Sequence, residues 1–201
     1  PTLAMAVAEQ GENNKAIDYA VEALRILETI EKPADVPIRR WIVLRDRGVA
    51  DAYYAQGLAY LKKSLGTMGD STVILNRSVG YLEKAIEADP RFDSAYFRLG
   101  YTHTRLNDAD KAIGSYAQAA ALDGIAAQLA IEQLETLYSF LKKDPAGIRQ
   151  YTQEQLAYID GKSAEKEAQI QLLEEEERMK LQQQLDLQLQ PQQPQQPQQQ
   201  Q

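Results

Sequence analysis

The segment AYFRLGYTHTRLNDADKAIGSYAQAAALD, Ala95 to Asp123, carries the clearest structural signal in the chain. Its apolar and small residues recur three or four positions apart on both sides of Asn107 and Asp108, which predicts two amphipathic helices joined by a tight turn. Asp108 stands at the expected N-cap of the second helix. We expect Gly100 and Ala112 to face each other across the pair, because longer side chains there would force the two helix axes apart.

Apolar residues at helical spacing extend over most of the chain. Leu75, Val79, Leu82 and Ile86 form one such stripe, and Ser71 stands at its expected N-cap. The sequence contains no alternating run of β-branched residues long enough for a sheet. The predicted fold class is therefore all-α, with roughly seven helices in antiparallel pairs. Turn-forming residues separate these helices at Gly11–Asn14, Gly66–Ser71, Asn107–Asp108, Asp123–Gly124 and Asp144–Gly147.

Residues of the opening segment follow the spacing W-x2-L-G-x2-Y…A-x3-F…P that is typical of the tetratricopeptide repeat. They are Tyr96, Leu99, Gly100, His103, Ala112, Tyr116 and Ala119. The chain thus resembles a tetratricopeptide repeat protein of bacterial type, and the resemblance implies an α-solenoid of stacked antiparallel helix pairs. His103 replaces a tyrosine of the pattern, and we expect it to pack between helices as a neutral ring. Gly124 replaces the terminal proline.

Two further copies of the pattern precede this one. The nearer copy is carried by Tyr53, Gly57, Tyr60, Leu82, Ala85, Ile86 and Pro90. The predicted repeats cover about residues 1–32, 49–91 and 93–124, and a divergent helix pair at 125–160 caps the repeat domain 1–160. The first copy lacks the leading aromatic of its first helix, and the chain begins at Pro1 rather than Met. We therefore expect the chain to begin within a longer architecture.

Residues outside the recognisable repeats are predicted to be helical as well. Asp35 is a candidate N-cap for a helix entered at Pro37, and the apolar residues that follow lead on towards Tyr53. Residues 161–190 are charged and Gln-rich, and they form a helical extension that is either a solvated helix or a coiled-coil partner site. Residues 191–201 form a tail of Pro and Gln whose low complexity predicts disorder.

Composition narrows the classes of partner. The chain has 22 basic and 29 acidic residues, a net charge of −7 and a pI near 4.9. Without a clustered basic face, binding to nucleic acid or to an anionic membrane surface is disfavoured. No apolar run approaches the roughly 20 residues that span a bilayer. The chain has no cysteine, which suits the cytoplasm or the periplasm, and the periplasm would follow if an upstream signal peptide had been removed.

Catalytic and metal-binding signatures were sought in three places. His103 is the single histidine and has no serine or cysteine nucleophile in register with it. The glycines of Gly66–Ser71 lack the following Lys-Ser/Thr of a phosphate-binding loop. The consecutive carboxylates Glu174–Glu177 point around a helix rather than towards one ion. The sequence therefore predicts no catalytic residue, cofactor or metal, and a protein that is not an enzyme.

The resemblance to tetratricopeptide repeats implies that the first helix of each pair lines a concave groove for a partner peptide or helix. Helical phase places seven residues on that face: Tyr54, Leu58, Leu61, Phe97, Arg98, Tyr101 and Arg105. Large aromatic and Arg side chains dominate binding energy at interfaces. The alternative is that Tyr54 and Phe97 only complete the packing between repeats.

Arg98 and Arg105 lie seven residues apart on one helix face, which favours an acidic partner segment. Pairing with an internal acid such as Asp51 is the competing explanation. The predicted function is a protein–protein interaction module or scaffold that holds another protein or peptide in the groove. The alternative is a structural subunit that self-associates or docks through its C-terminal helix, with the solenoid as a spacer. The sequence names neither the partner nor the oligomeric state.

Overall fold

The structure, a computed structural model, describes residues 1–141 and 143–189. Eight α-helices and no strand are found in these two ranges. The helices are α1 (Thr2–Glu9), α2 (Asn13–Thr29), α3 (Ile38–Leu65), α4 (Thr72–Ala88), α5 (Asp93–Arg105), α6 (Ala109–Ala121), α7 (Ala127–Phe140) and α8 (Gly147–Leu189). The predicted all-α fold is confirmed, with one helix more than the expected seven.

Successive helices stack side by side. Helices α1 and α2, α3 and α4, and α5 and α6 pack as pairs, and the second helix of each pair also packs against the first helix of the next. Helix α1 lies against α3 as well, so the first helices of successive pairs share one layer. This arrangement is the predicted helical solenoid.

Two glycines allow the paired helices to approach closely. A Cβ atom at Gly57 of α3 would lie 2.7 Å from Cγ of Leu82, and one at Gly100 of α5 would lie 2.7 Å from the Tyr116 ring. Tyr116 and Leu82 are fully buried. The expected partner of Gly100 is therefore wrong, because its nearest atoms belong to the ring of Tyr116 rather than to Ala112.

Asp108 and Ser71 both occupy the N-cap positions predicted for them, but only Asp108 caps its helix with its side chain. The Asp108 carboxylate accepts a hydrogen bond from the backbone N–H of Lys111 at 3.3 Å, as expected of an N-cap. Ser71 makes no such bond; Asp70 accepts from the Thr72 N–H instead, at 2.8 Å. Helix α3 follows Pro37 without any side-chain cap, so the role predicted for Asp35 is wrong.

Helix α8 departs most from the expected organisation. It runs unbroken for 43 residues through Gly161, so the predicted division between residues 160 and 161 falls inside a helix. It packs first against α6 and then against α3, and α7 also packs against α6. The expected antiparallel pairing of α7 with α8 is therefore wrong, and the three domain divisions remain predictions.

Residues 161–177 of α8, which we name the α8 extension, lie against the body of the protein. Ile170 is buried, and the extension and the residue before it make ion pairs with the linker after α2, with α3 and with the α4–α5 loop. These pairs are Asp160–Arg91, Lys166–Asp46, Glu167–Arg39, Glu174–Arg39 and Glu177–Lys32. The expectation of a solvated helix is thus wrong for this segment. The predicted disordered tail, 191–201, lies outside the described residues.

Candidate partner-binding site

A pocket of about 300 Å³ opens between helices α3, α5 and α7. Helix α3 contributes four side chains, α5 contributes three and α7 contributes one. They are Leu58, Leu61, Lys62, Leu65, Phe97, Arg98, Tyr101 and Gln133. Residues three or four apart on α3 and on α5 share one helix face, which is why these side chains converge.

Five of the seven predicted groove residues line this pocket: Leu58, Leu61, Phe97, Arg98 and Tyr101. The other two do not. The ring of Tyr54 is buried and packs against Phe92 with 4.9 Å between ring centroids. Arg105 is exposed and lies outside the pocket lining.

The pocket has an apolar floor and a mixed rim. Leu58 and Leu61 are buried and form the floor, whereas Phe97 and Tyr101 are half-buried. Phe97 also packs against Tyr116 with 5.6 Å between ring centroids, so it serves the contact between helices and the pocket at once. The alternative, that these two aromatic residues only complete the packing between repeats, therefore applies fully to Tyr54 and partly to Phe97.

Two cations on the rim share one internal carboxylate. Lys62 donates a hydrogen bond to the Glu9 carboxylate at 3.0 Å and another to the Glu9 backbone oxygen at 2.8 Å. The Arg98 guanidinium lies 3.9 Å from the other Glu9 oxygen and also stacks over the Phe97 ring. Two positive charges facing one negative charge leave this rim with a net positive charge.

Asp51, the acid expected to compete for Arg98, lies elsewhere. Its carboxylate is 3.5 Å from Arg47, one turn earlier on α3. Burial raises the pKa of Asp51, and the charge of Arg47 opposes that rise. Burial likewise raises the pKa of the Tyr54 hydroxyl, and the nearby Arg98 acts in the opposite direction. The internal partner of Arg98 is thus Glu9 rather than Asp51.

Three lining residues were missed by the sequence reasoning: Lys62, Leu65 and Gln133. The signal for Lys62 was available, because it lies four residues after Leu58 and helical phase places the two on one face. Gln133 comes from α7, which lacks the glycine of the repeat pattern, so no spacing pointed to it.

His103 lies outside this pocket and is buried in the α5–α6 pair. Its Nδ1 atom has no hydrogen-bond partner among the described residues. Burial lowers the pKa of His103, and the carboxylate of Asp108 partly opposes this effect. The packed position expected from the sequence is confirmed, and the lowered pKa favours the neutral ring.

Among residues 1–141 and 143–189, no group of three or more His, Cys, Asp or Glu side chains is arranged to hold a metal ion. None of the described helices combines the length and apolar composition that crossing a membrane requires.

Comparisons with known proteins can now be set beside this geometry. The Tetratricopeptide repeat family matches residues 81–114, which run from the middle of α4 through α5 into α6. This span has the length of one repeat and includes Gly100, His103 and Ala112 of the sequence pattern. No curated protein matches the chain. Proteins of this family are generally not enzymes. The bacterial type and the number of repeats remain predictions; what the comparison shows is one tetratricopeptide repeat match, at residues 81–114.

Proposed function

We propose that this protein is a non-catalytic interaction module that holds a segment of a partner protein in the pocket between α3, α5 and α7. Tetratricopeptide repeats suggest protein–protein interaction in general. The observation that carries the specific proposal is the convergence of Phe97, Arg98 and Tyr101 over a leucine floor. Aromatic and Arg side chains around a desolvated centre are the usual sources of binding energy.

The size of the pocket favours an anchoring side chain rather than a whole ligand. A volume of about 300 Å³ stands at the lower end of the range for small-molecule sites. Leu58 and Leu61 offer an apolar surface at its floor. The partner segment is therefore proposed to insert one apolar side chain and to continue along the helices on either side.

The charge of the rim favours an acidic partner segment. Lys62 and Arg98 share the single carboxylate of Glu9, in a chain whose net charge is −7. Such a local positive field steers carboxylates towards the pocket and selects against basic partners. A carboxylate of the partner would replace or join Glu9 at Arg98.

A pull-down from the source organism tests the pocket. Phe97→Ala/Arg98→Ala should lose the partner that the wild-type protein captures. The matched control is Phe140→Ala/Arg149→Ala, which removes the same two side-chain types at exposed positions outside the pocket. Equal recovery by the wild-type protein and both variants would remove the pocket from consideration.

A second candidate function is self-assembly through the end of α8. Residues 178–189 continue past Glu177, the last residue of α8 with a described ion pair to the body. They expose Met179, Leu181, Leu185, Leu187 and Leu189. Sedimentation of the full chain and of a chain ending at Glu177 would separate the two candidates. A monomeric full chain would contradict self-assembly.

A further inference from the structure

Three tyrosines of α3 and α4 form a stacked cluster on the surface. Tyr60 and Tyr81 lie with ring centroids 5.4 Å apart and only 8° between their planes. Tyr53 also stacks on Tyr81, with 6.4 Å between their ring centroids. All three side chains are half-buried, so part of each remains accessible.

Three cations cover these rings, and we name the six residues together the tyrosine–cation cluster. Lys84 lies 5.4 Å from the ring centroid of Tyr53 and 5.6 Å from that of Tyr81. Arg77 and Lys63 lie 5.8 Å and 5.9 Å from the Tyr60 centroid. Four of the eight cation–π contacts among the described residues lie within residues 53–84, which is a local concentration.

Helical phase explains how the cluster forms. Tyr53 and Tyr60 lie seven residues apart on α3, which places them on one face two turns apart. On α4, Arg77, Tyr81 and Lys84 follow one another at spacings of four and three residues, which also places them on one helix face. Lys63 donates a hydrogen bond to Asn14 at 2.9 Å, so this face of α3 borders α2.

The cluster is separate from the pocket. Leu58, Leu61 and Lys62 line the pocket, and at 100° per residue they lie more than 70° around α3 from both Tyr53 and Tyr60. None of the six cluster residues lines that pocket. The molecule therefore presents two distinct surfaces, one on each side of α3.

The cations of the cluster form no ion pair within the described part of the chain, although Glu87 lines a small pocket together with Tyr53 and Lys84. No described carboxylate lies within ion-pair distance of Lys63, Arg77 or Lys84. By contrast, Arg39 and Lys62 each contact a carboxylate of another helix. A ring attracts a cation through its quadrupole without cancelling the charge. Arg77 and Lys84 are exposed and Lys63 is half-buried, so the three cations lie beside the tyrosine rings without an ion pair of their own.

We propose that the tyrosine–cation cluster is a second docking surface, and that its occupant is a short acidic segment of a partner protein. Carboxylates of such a segment pair with Lys63, Arg77 and Lys84. The aliphatic parts of its side chains and its backbone lie on the tyrosine rings. The chain as a whole carries a net charge of −7, whereas this patch presents cations. An acidic segment can recognise the patch through this charge complementarity. Single-stranded nucleic acid fits less well, since its bases need open aromatic faces, and here the rings already stack on each other and on cations.

Titration with a defined probe tests the proposal. The full chain is titrated at low salt with acetylated, amidated hexaglutamate, and the ring resonances of Tyr53, Tyr60 and Tyr81 are followed by NMR. We expect saturable shifts in these rings. Arg77→Ala/Lys84→Ala should weaken binding by roughly tenfold or more, as expected for the loss of two charge pairs. Tyr81→Leu, which keeps an apolar side chain but removes the ring, should also weaken binding.

Matched variants distinguish binding at the tyrosine–cation cluster from nonspecific charge attraction and from binding at the pocket. Lys15→Ala/Arg25→Ala removes the same two charges from exposed positions on α2 that already pair with Glu12 and Glu22, and it should bind within about twofold of the wild-type protein. Phe97→Ala/Arg98→Ala should leave the shifts of the Tyr53, Tyr60 and Tyr81 rings unchanged, whatever hexaglutamate does at the pocket. The proposal is overturned if hexaglutamate produces no ring shifts, or if Arg77→Ala/Lys84→Ala and Lys15→Ala/Arg25→Ala weaken binding equally. It is also overturned if only Phe97→Ala/Arg98→Ala abolishes the ring shifts, or if hexauridylate binds more tightly than the peptide.

Discussion

Gly57 and Gly100 occupy the same place in two successive helix pairs. Each lets a bulky side chain of the second helix, Leu82 or Tyr116, lie against the backbone of the first. The repeat spacing located both glycines correctly, because only a residue without Cβ fits there. The spacing did not identify Tyr116 as the partner of Gly100, since a pattern marks small residues without giving the rotation of the helices that bear them.

The first prediction compares two glycines inside helices. Gly100→Ala places a methyl group 2.7 Å from the Tyr116 ring, and overpacking of this kind costs about 1–3 kcal/mol. Gly80→Ala is the control, because nothing lies within 4 Å of its Cβ position; it should be neutral or stabilising, by up to about 1 kcal/mol. Urea denaturation measures both. Equal midpoints for the two variants would refute the packing assigned to Gly100.

The second prediction concerns pH and His103. Burial lowers the pKa of His103 in the folded state, so the unfolded chain binds its proton first as pH falls. The free energy of unfolding should therefore decrease as pH falls through the ordinary histidine pKa of about 6.5, by at most about 1.4 kcal/mol per pH unit. His103→Tyr removes the only histidine and should flatten this dependence. Urea denaturation between pH 7.5 and 5.5 provides the measurement, and an unchanged slope in the variant would exclude His103 as its source.

At the scale of elements, α8 shows what local sequence signals leave out. The domain division predicted from the sequence falls just before Gly161, but a single glycine costs only about 1 kcal/mol in a helix interior. Tertiary contacts of Ile159 and Ile170 outweigh that cost, since both side chains are buried against the body. The charges of the α8 extension that pair with the body looked solvated because their partners, such as Arg39, lie at least 120 residues earlier. No local pattern could have paired them.

The third prediction tests how the α8 extension is held. Arg39 contacts Glu167 at 2.7 Å and Glu174 at 3.0 Å, and exposed ion pairs of this kind contribute little to the stability of the whole fold. Arg39→Ala should therefore loosen the extension without unfolding the repeats. Amide exchange should accelerate in residues 163–177 and stay unchanged in α4–α6, and 1 M salt should have the same effect on the wild-type protein.

Arg40→Ala is the control for this experiment. Arg40 is exposed and precedes Trp41 on the same turn of α3, so its removal changes the charge of the helix by the same amount. Its amide exchange pattern should match that of the wild-type protein. Acceleration spread over all helices in Arg39→Ala would indicate general destabilisation rather than release of one element.

At the scale of the whole molecule, helix phase predicted five residues that line the pocket, Arg98 among them, but not the carboxylate that faces Arg98. Leu58 and Phe97 converge on the pocket because they belong to the first helices of adjacent pairs. Glu9 reaches Lys62 and Arg98 only because α1 packs across α3. A contact of that kind depends on the stacking of pairs, which a single repeat does not encode.

The last prediction identifies the element that caps the solenoid. Ile159, in the first part of α8, is fully buried in the cluster that contains Tyr116 and Leu134. A chain ending at Gly161 keeps that contact and loses the α8 extension, so its melting temperature should fall by only a few degrees. A chain ending at Pro145 also loses Ile159, whose burial stabilises by about 1.5–3 kcal/mol, and leaves the α6 surface that α8 covers open to solvent. Its melting temperature should fall much further, and it should bind a dye that reports exposed apolar surface. Equal melting temperatures for the two truncated chains would mean that α7 alone closes the array, and the capping role assigned to the start of α8 would be wrong.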